Sequence, residues 1–352
     1  MPGIVPPYLL SRLAATHEPH LARAAAAARA TLAAPRRYLP VRANLDLSVS
    51  GGALVVEASP APDRVISDAQ HREELPGIRV RGEDDPVGAD AAVAQAFDGL
   101  GDTFALYWEA FGRSSIDGVG GTLAATVHFG DRYDNAFWNG ERMVFGDGDG
   151  EVFTGFTQSL SVIAHELTHG VVEHSGGLVY SGQSGALNES LADVFGALTE
   201  QHAAGQTVSE ASWLIGEGIF TDAVQGTALR SLSAPGTAYD DDVLGRDPQP
   251  AHMRDFVATS ADNGGVHINS GIPNKAFHSV ALALGGYGWE RAGRIWYLVM
   301  TRGSLAPSAD FSAFAAETLA VATEEYGEHS EEVAAVRAAW IGVGVIEDDE
   351  EP

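Results

Sequence analysis

The chain has 352 residues, 45% of them hydrophobic, with 21 Lys and Arg against 48 Asp and Glu for a formal charge of -27, and it has no cysteine. The length allows one large domain or two lobes with an ample apolar core, which excludes wholesale disorder. The missing cysteine excludes disulfides, a thiolate nucleophile and cysteine zinc sites, and the acidic excess disfavours nucleic acid and anionic membrane surfaces by like-charge repulsion.

The charge is unevenly spread. Residues 1–45 carry six Arg against Glu18 alone, a net +5 that leaves -32 on the rest. This segment opens without the uninterrupted apolar stretch of a signal peptide, and residues 21–34 form an Ala-rich helix former, so no secretory signal is expected. Export by a non-classical route and a cytoplasmic location both stay open. No run approaches the roughly 18 apolar residues of a membrane span, so no membrane partner is expected. Residues 48–158 read as sheet and loop, interrupted by a helix over 85–111 with Asp85 as N-cap and Pro86 at its first position. A strand is expected over 123–129. A hairpin is expected over 137–145, because Asn139-Gly140 suits the two positive φ angles of a type I′ turn. From Ser159 the period becomes helical: Ile163, Leu167 and Val171 recur at four, as do Leu187, Leu191 and Phe195 with Leu198 three further on. Helices over 270–284, 290–302 and 311–326 continue the pattern, and residues 347–351 read as a solvated acid tail.

The chemistry sits at His165-Glu166-Leu167-Thr168-His169. Residues four apart share a helix face, so two imidazoles can hold one cation while Glu166 points beside it. Two neutral imidazoles suit Zn²⁺, which in catalytic sites usually takes three protein ligands and leaves a position for water. The bland alternative is a surface helix with two ordinary histidines. The next helix argues against it, because Glu189 and Asp193 again lie four apart on one face. Glu189 is a natural third ligand, and Asp193 could accept the free ring N–H of a ligating histidine.

At these residues the sequence resembles the thermolysin-like zinc metallopeptidases, peptidase family M4. The resemblance runs from about Asp68 to Val345. It rests on Asn135-Ala136-Phe137-Trp138-Asn139-Gly140, Gly146-Asp147-Gly148-Asp149-Gly150, His165 to His169, Gly185-Ala186-Leu187-Asn188-Glu189, and the run from Asp262 to Gly271. It implies an α+β, two-lobed fold with a mixed α/β N-terminal lobe, a mainly α-helical C-terminal lobe and the active-site cleft between them. It also implies a neutral endopeptidase with one catalytic Zn²⁺ on His165, His169 and Glu189, and Glu166 as general base. Tyr180 and His267 match the family's oxyanion donors, and Asp262 matches the residue that orients the histidine. Asn135, Ala136 and Trp138 match the strand edge that pairs with substrate, and Arg230 the residue that binds the carbonyl beside the cleaved bond. Phe153, Val162, Ile215 and Leu229 match the walls of the pocket for the residue after that bond. All four are apolar, so cleavage on the amino side of Leu, Ile, Val or Phe is expected.

The departures carry expectations too. The family's double calcium site keeps only Glu200 and Glu217, with Ser161, Ser212, Leu214 and Gly218 at other matching places, so it is expected to be absent, since calcium takes 6 to 8 oxygens. The N-terminal segment is similar to the short propeptide of the protealysin-like subgroup, here Pro6-Pro7-Tyr8-Leu9-Leu10. Pro6 and Pro7 favour an extended form that could lie along the cleft, giving a zymogen processed between Arg42 and Arg64. The expected organisation is a propeptide over 1–50, a catalytic lobe over 51–180, a helical lobe over 181–346 and the tail over 347–352. Expected partners are peptide or protein substrates and the chain's own propeptide, with a proteinaceous inhibitor as a further candidate. Two rival readings stay visible: a zinc aminopeptidase, and a catalytically idle zinc fold that acts as a binding module.

Overall fold

The computed structural model describes residues 3–34, 48–50, 53–55 and 61–347. Most of the expected processing stretch and the acid tail beyond Glu347 lie outside the described residues. The chain divides into two compact units, residues 1–174 with 218–223, and residues 175–217 with 224–352.

The first unit begins with helices α1 (Pro7–Ala14) and α2 (Ala22–Ala33), followed by the short strands β1 (Ser48–Ser50) and β2 (Ala53–Val55), which pair antiparallel. Strands β3 (Arg64–Asp68) and β4 (Ile78–Arg81), helix α3 (Ala91–Phe111), strands β5 (Leu123–Val127), β6 (Ala136–Trp138) and β7 (Met143–Phe145), and helix α4 (Leu160–His174) complete it. The sheet order is β4-β3-β5-β7-β6, with β3/β5 and β5/β7 parallel and both outer pairs antiparallel. Helix α3 packs on β3 and β5 and against α4, which also meets β6. Gly99 permits that helix crossing, since a Cβ there would lie 2.6 Å from Ile163 Cδ1. Beyond the end of β5, Phe129, Tyr133 and Phe137 pack edge to face, closing a small core with Ala69 and Val144.

Three local expectations need correction. Helix α3 starts at Ala91, five residues after the expected first position Pro86, because Asp85 instead accepts the Gly82 N–H and pairs with Arg79, while Asp90 caps the helix by accepting from Ala92 and Val93. The 137–145 hairpin forms without a type I′ turn. Gly140 has φ +96°, Asn139 does not have positive φ, and the Asn139 amide oxygen accepts from Glu141 and Arg142. Pro7 opens α1 rather than continuing an extended run, as its fixed φ and missing N–H are tolerated at a first helical position.

The second unit is mainly helical. Helix α5 (Gly182–Ala204) packs against α6 (Asp262–Asn269), α7 (Gly271–Leu284) and α8 (Ala292–Thr301), while α9 (Phe311–Tyr326) and α10 (Glu331–Gly342) pack on each other. Two-residue ladders β8 (Leu214–Ile215) with β9 (Arg230–Ser231) and β10 (Asp240–Asp241) with β11 (Gly245–Arg246) are added. Trp296 is fully buried, stacked on Trp340 at 6.2 Å and edge-on to Phe277 and Phe314. This aromatic nucleus fixes α7, α8, α9 and α10 together, so the unit has its own core.

Candidate active site

In the first unit, α4 presents its motif from the interior, with residues 161–172 all buried. His165 Nε2 and His169 Nε2 lie 3.0 Å apart, their rings nearly perpendicular. That separation is close to the edge of a tetrahedron around an ion bonded at about 2.0–2.1 Å, so the pair fits a cation of the zinc type. Beside them Glu166 is wholly buried, and its Oε2 accepts the Trp138 N–H at 2.7 Å while its Oε1 accepts the Ile4 N–H at 3.2 Å. The helix is fixed to α3 by Thr168, whose hydroxyl donates to the Ala164 carbonyl and meets Tyr107 Oη at 2.9 Å. The Trp138 indole donates to Glu173, whose carboxyl burial pushes up to about 7.

Strand β6 is the outer strand of its sheet, and the N-terminal segment occupies its free edge. The Ile4 N–H donates to the Ala136 carbonyl at 3.0 Å. Asn135 clamps Val5, its Oδ1 accepting the Val5 N–H at 2.9 Å and its Nδ2 donating to the Val5 carbonyl at 3.0 Å. Ile4 and Val5 are fully buried. Gly3 is required by the close approach, because a Cβ there would fall 2.0 Å from the Ala136 carbonyl oxygen. Pro6, Pro7, Tyr8 and Leu9 lie past this contact, with Leu9, Leu10 and Leu13 forming the buried face of α1. Phe153 and Val162 are also buried in this unit, and Phe153 stacks near Phe156 and Phe220.

In the second unit, Glu189 projects from α5 and is buried. The Tyr180 hydroxyl donates to Glu189 Oε1, and His267 Nε2 lies 3.5 Å from both the Tyr180 hydroxyl and Glu189 Oε2. Asp262 grips His267 twice, through its ring Nδ1 at 2.7 Å and its backbone N–H at 2.9 Å. Residues 262–265 all take positive φ, a bend that the Asn263-Gly264-Gly265 run accommodates and that turns Asp262 back onto the histidine. Burial opposes charging His267, yet Glu189 and Asp262 outweigh it and raise its pKa. Elsewhere in this unit, Asp193 receives a bidentate ion pair from Arg230, Nε at 2.9 Å and Nη2 at 2.8 Å, and an amide from Asn274 at 2.9 Å. The β8/β9 ladder sets Ile215 opposite Arg230, and the Leu229 N–H donates to the Ile215 carbonyl. No sequence pattern marks Asn274, 81 residues from its partner, or Ile4, 162 residues from Glu166.

Two family profiles match, thermolysin metallopeptidase, catalytic domain over residues 44–173, and thermolysin metallopeptidase, alpha-helical domain over residues 176–345. The chain is 52% identical over 283 residues to an extracellular metalloprotease of Pectobacterium carotovorum subsp. carotovorum, covering 80% of this chain and 81% of that protein. It is 38% identical over 287 residues to a thermolysin of Alicyclobacillus acidocaldarius subsp. acidocaldarius, covering 79% of this chain and 50% of that one. Among solved structures it is similar to a precursor of protealysin, a metalloproteinase from Serratia proteamaculans, with TM-score 0.88, 45% identity, and coverage of 98% of this chain and 100% of that one.

Proposed function

Because the chain belongs to the thermolysin metallopeptidase family, we propose that this metalloendopeptidase holds one zinc ion on His165, His169 and Glu189 and cleaves on the amino side of bulky apolar residues. The single observation that carries the reading is the buried His165–His169 pair at 3.0 Å with the Glu166 carboxylate beside it. An ion in that place supplies Lewis-acid polarisation of the scissile carbonyl and brings the acidity of a water towards neutrality.

The side chains do the rest. Glu166, held by the Trp138 N–H, takes the proton of the attacking water and later hands it to the leaving amine. Tyr180 and His267 donate to the oxyanion, with His267 kept in place by Asp262 at its far nitrogen. The free edge of β6, through Ala136 and the Asn135 amide, is suited to an extended peptide because backbone pairing is independent of side-chain identity. Arg230, preset by Asp193, binds the carbonyl after the cleaved bond. Phe153, Val162, Ile215 and Leu229 wall the pocket for the next side chain, a transfer worth about 1.5–3 kcal/mol.

The N-terminal segment keeps this enzyme latent. Supporting this, Ile4 and Val5 occupy the β6 edge that substrate needs, and the Ile4 N–H sits on the carboxylate of the general base. The structural likeness to a protealysin precursor points the same way.

The test is hydrolysis of a blocked furylacryloyl dipeptide amide by processed enzyme, with and without a zinc chelator. Loss of turnover on chelation and its return with zinc are expected; cleavage of only unblocked peptides would favour an aminopeptidase. Glu166→Gln should keep the metal and lose about 10²- to 10⁴-fold in kcat. Undiminished turnover would exclude Glu166 as the base.

A further inference from the structure

We propose that His71, His128 and Asp147 form a second divalent-metal site, separate from the His165–His169 pair and suited to an ion of the zinc type. Their donor atoms all lie within 4.8 Å of one another. His128 Nδ1 is 2.9 Å from Asp147 Oδ1, and His71 Nδ1 is 3.2 Å from Asp147 Oδ2. Asp147 Oδ2 alone lies 3.0 Å from His128 Nδ1 and 3.2 Å from His71 Nδ1, a few tenths of an ångström inside the roughly 3.3–3.6 Å edges of a tetrahedron with bonds of about 2.0–2.2 Å, so a small opening of the cluster admits the ion. Two imidazoles and one carboxylate select zinc and its borderline neighbours over calcium or magnesium, which prefer all-oxygen shells.

An independent feature points to a ligand. The other ring nitrogen of His128 meets Asp90 Oδ2 at 2.9 Å. A carboxylate behind a ligating histidine fixes the tautomer that aims the opposite nitrogen at a metal. Asp90 is itself fixed, because its Oδ1 caps α3. The three donors come from separate pieces of rigid backbone. The His71 N–H donates to the His128 carbonyl at 2.8 Å, just past the paired ends of β3 and β5. Asp147 is held between Gly146 and Gly148, whose N–H groups donate to Asn135 and Tyr133. Asp90 and Asp147 together balance a divalent charge. The rival arrangement is a plain ion network around a protonated His128, in which one proton takes the place of the ion.

The site remains reachable, since the His71 side chain is 62% exposed. Occupied, it would tie the exit of β3, the end of β5 and the 146–150 turn to the start of α3.

The test uses the full-length chain and metal-free buffer, titrated with Zn²⁺ and, separately, Ca²⁺, reading bound ion per chain by equilibrium dialysis. Two zinc equivalents are expected for the wild type and one for His71→Ala, whose side chain is mostly exposed and whose folding is checked by circular dichroism. His165→Ala should lose the other equivalent and keep this one. Asp90→Asn keeps a good cap yet removes the charge behind His128, so affinity for the second ion should fall about 10- to 100-fold with helix content unchanged. A single equivalent in the wild type, a second equivalent indifferent to His71→Ala, or a second site filled by calcium rather than zinc would overturn the proposal.

Discussion

The latency of the full chain turns on Gly3, and its substitution tests the mode of inhibition. A Cβ at position 3 would sit 2.0 Å from the Ala136 carbonyl oxygen and 2.4 Å from Asn135 Oδ1. The first of these is backbone and cannot rotate away, so Gly3→Val must lift the segment from β6. Lifting it forfeits the Ile4 N–H bond to Ala136 and both bonds between Val5 and the Asn135 amide. At about 1 kcal/mol net each, three lost bonds weaken docking by about 3 kcal/mol, roughly 100-fold in the closed-to-open ratio. The assay is the initial rate of blocked-peptide hydrolysis by intact chain, its integrity checked by N-terminal sequencing. Intact Gly3→Val should hydrolyse substrate about two orders of magnitude faster than intact wild type. Equal silence of the two chains would refute inhibition through this contact.

Two further outcomes follow from buried charge. Arg230 is 1% exposed and its partner Asp193 is fully buried, so Arg230→Ala removes the balancing charge of a buried carboxylate and should cost about 3–5 kcal/mol in urea unfolding of the full chain; a loss below about 1 kcal/mol would show that water already reaches the pair. Asp134 is fully buried facing Asp149, and its carboxyl is pushed up to about 10, by desolvation first and by Asp149 second. The native chain therefore binds more protons there than the unfolded chain, and this residue lowers stability as pH rises from about 4 towards 10. Asp134→Asn should raise Tm at pH 8 more than at pH 5, and an equal change at both pH values would contradict the assignment.

Much of the site was legible because its signals are local. His165 and His169 fall on one face of a buried helix by spacing alone, and helix α9 matches its expected bounds between the Asp310 cap and Gly327. The errors have physical causes. Asp85 and Pro86 carry a valid start signal, but Asp85 is engaged by Gly82 and Arg79 and the competing cap Asp90 wins. Asn139-Gly140 has the composition of a tight turn, yet the Asn139 amide gains more by accepting two backbone N–H groups. Helix α10 carries no clear periodic signal, although Ser330 caps it, because Ala-rich positions blur its apolar stripe around Val333, Val336 and Trp340. The Pro6-Pro7 pair marks the segment as one suited to the cleft, but Ile4 and Val5 make the contact, and only tertiary structure shows which residues reach Glu166.

The most direct measurement is anomalous diffraction at the zinc edge from crystals of the full chain. The expected result is a peak bonded at about 2.0–2.2 Å to Nε2 of His165, Nε2 of His169 and a carboxylate oxygen of Glu189. A zinc-loaded crystal with no peak at the two histidines, or with one that Glu189 does not reach, would contradict the proposed chemistry.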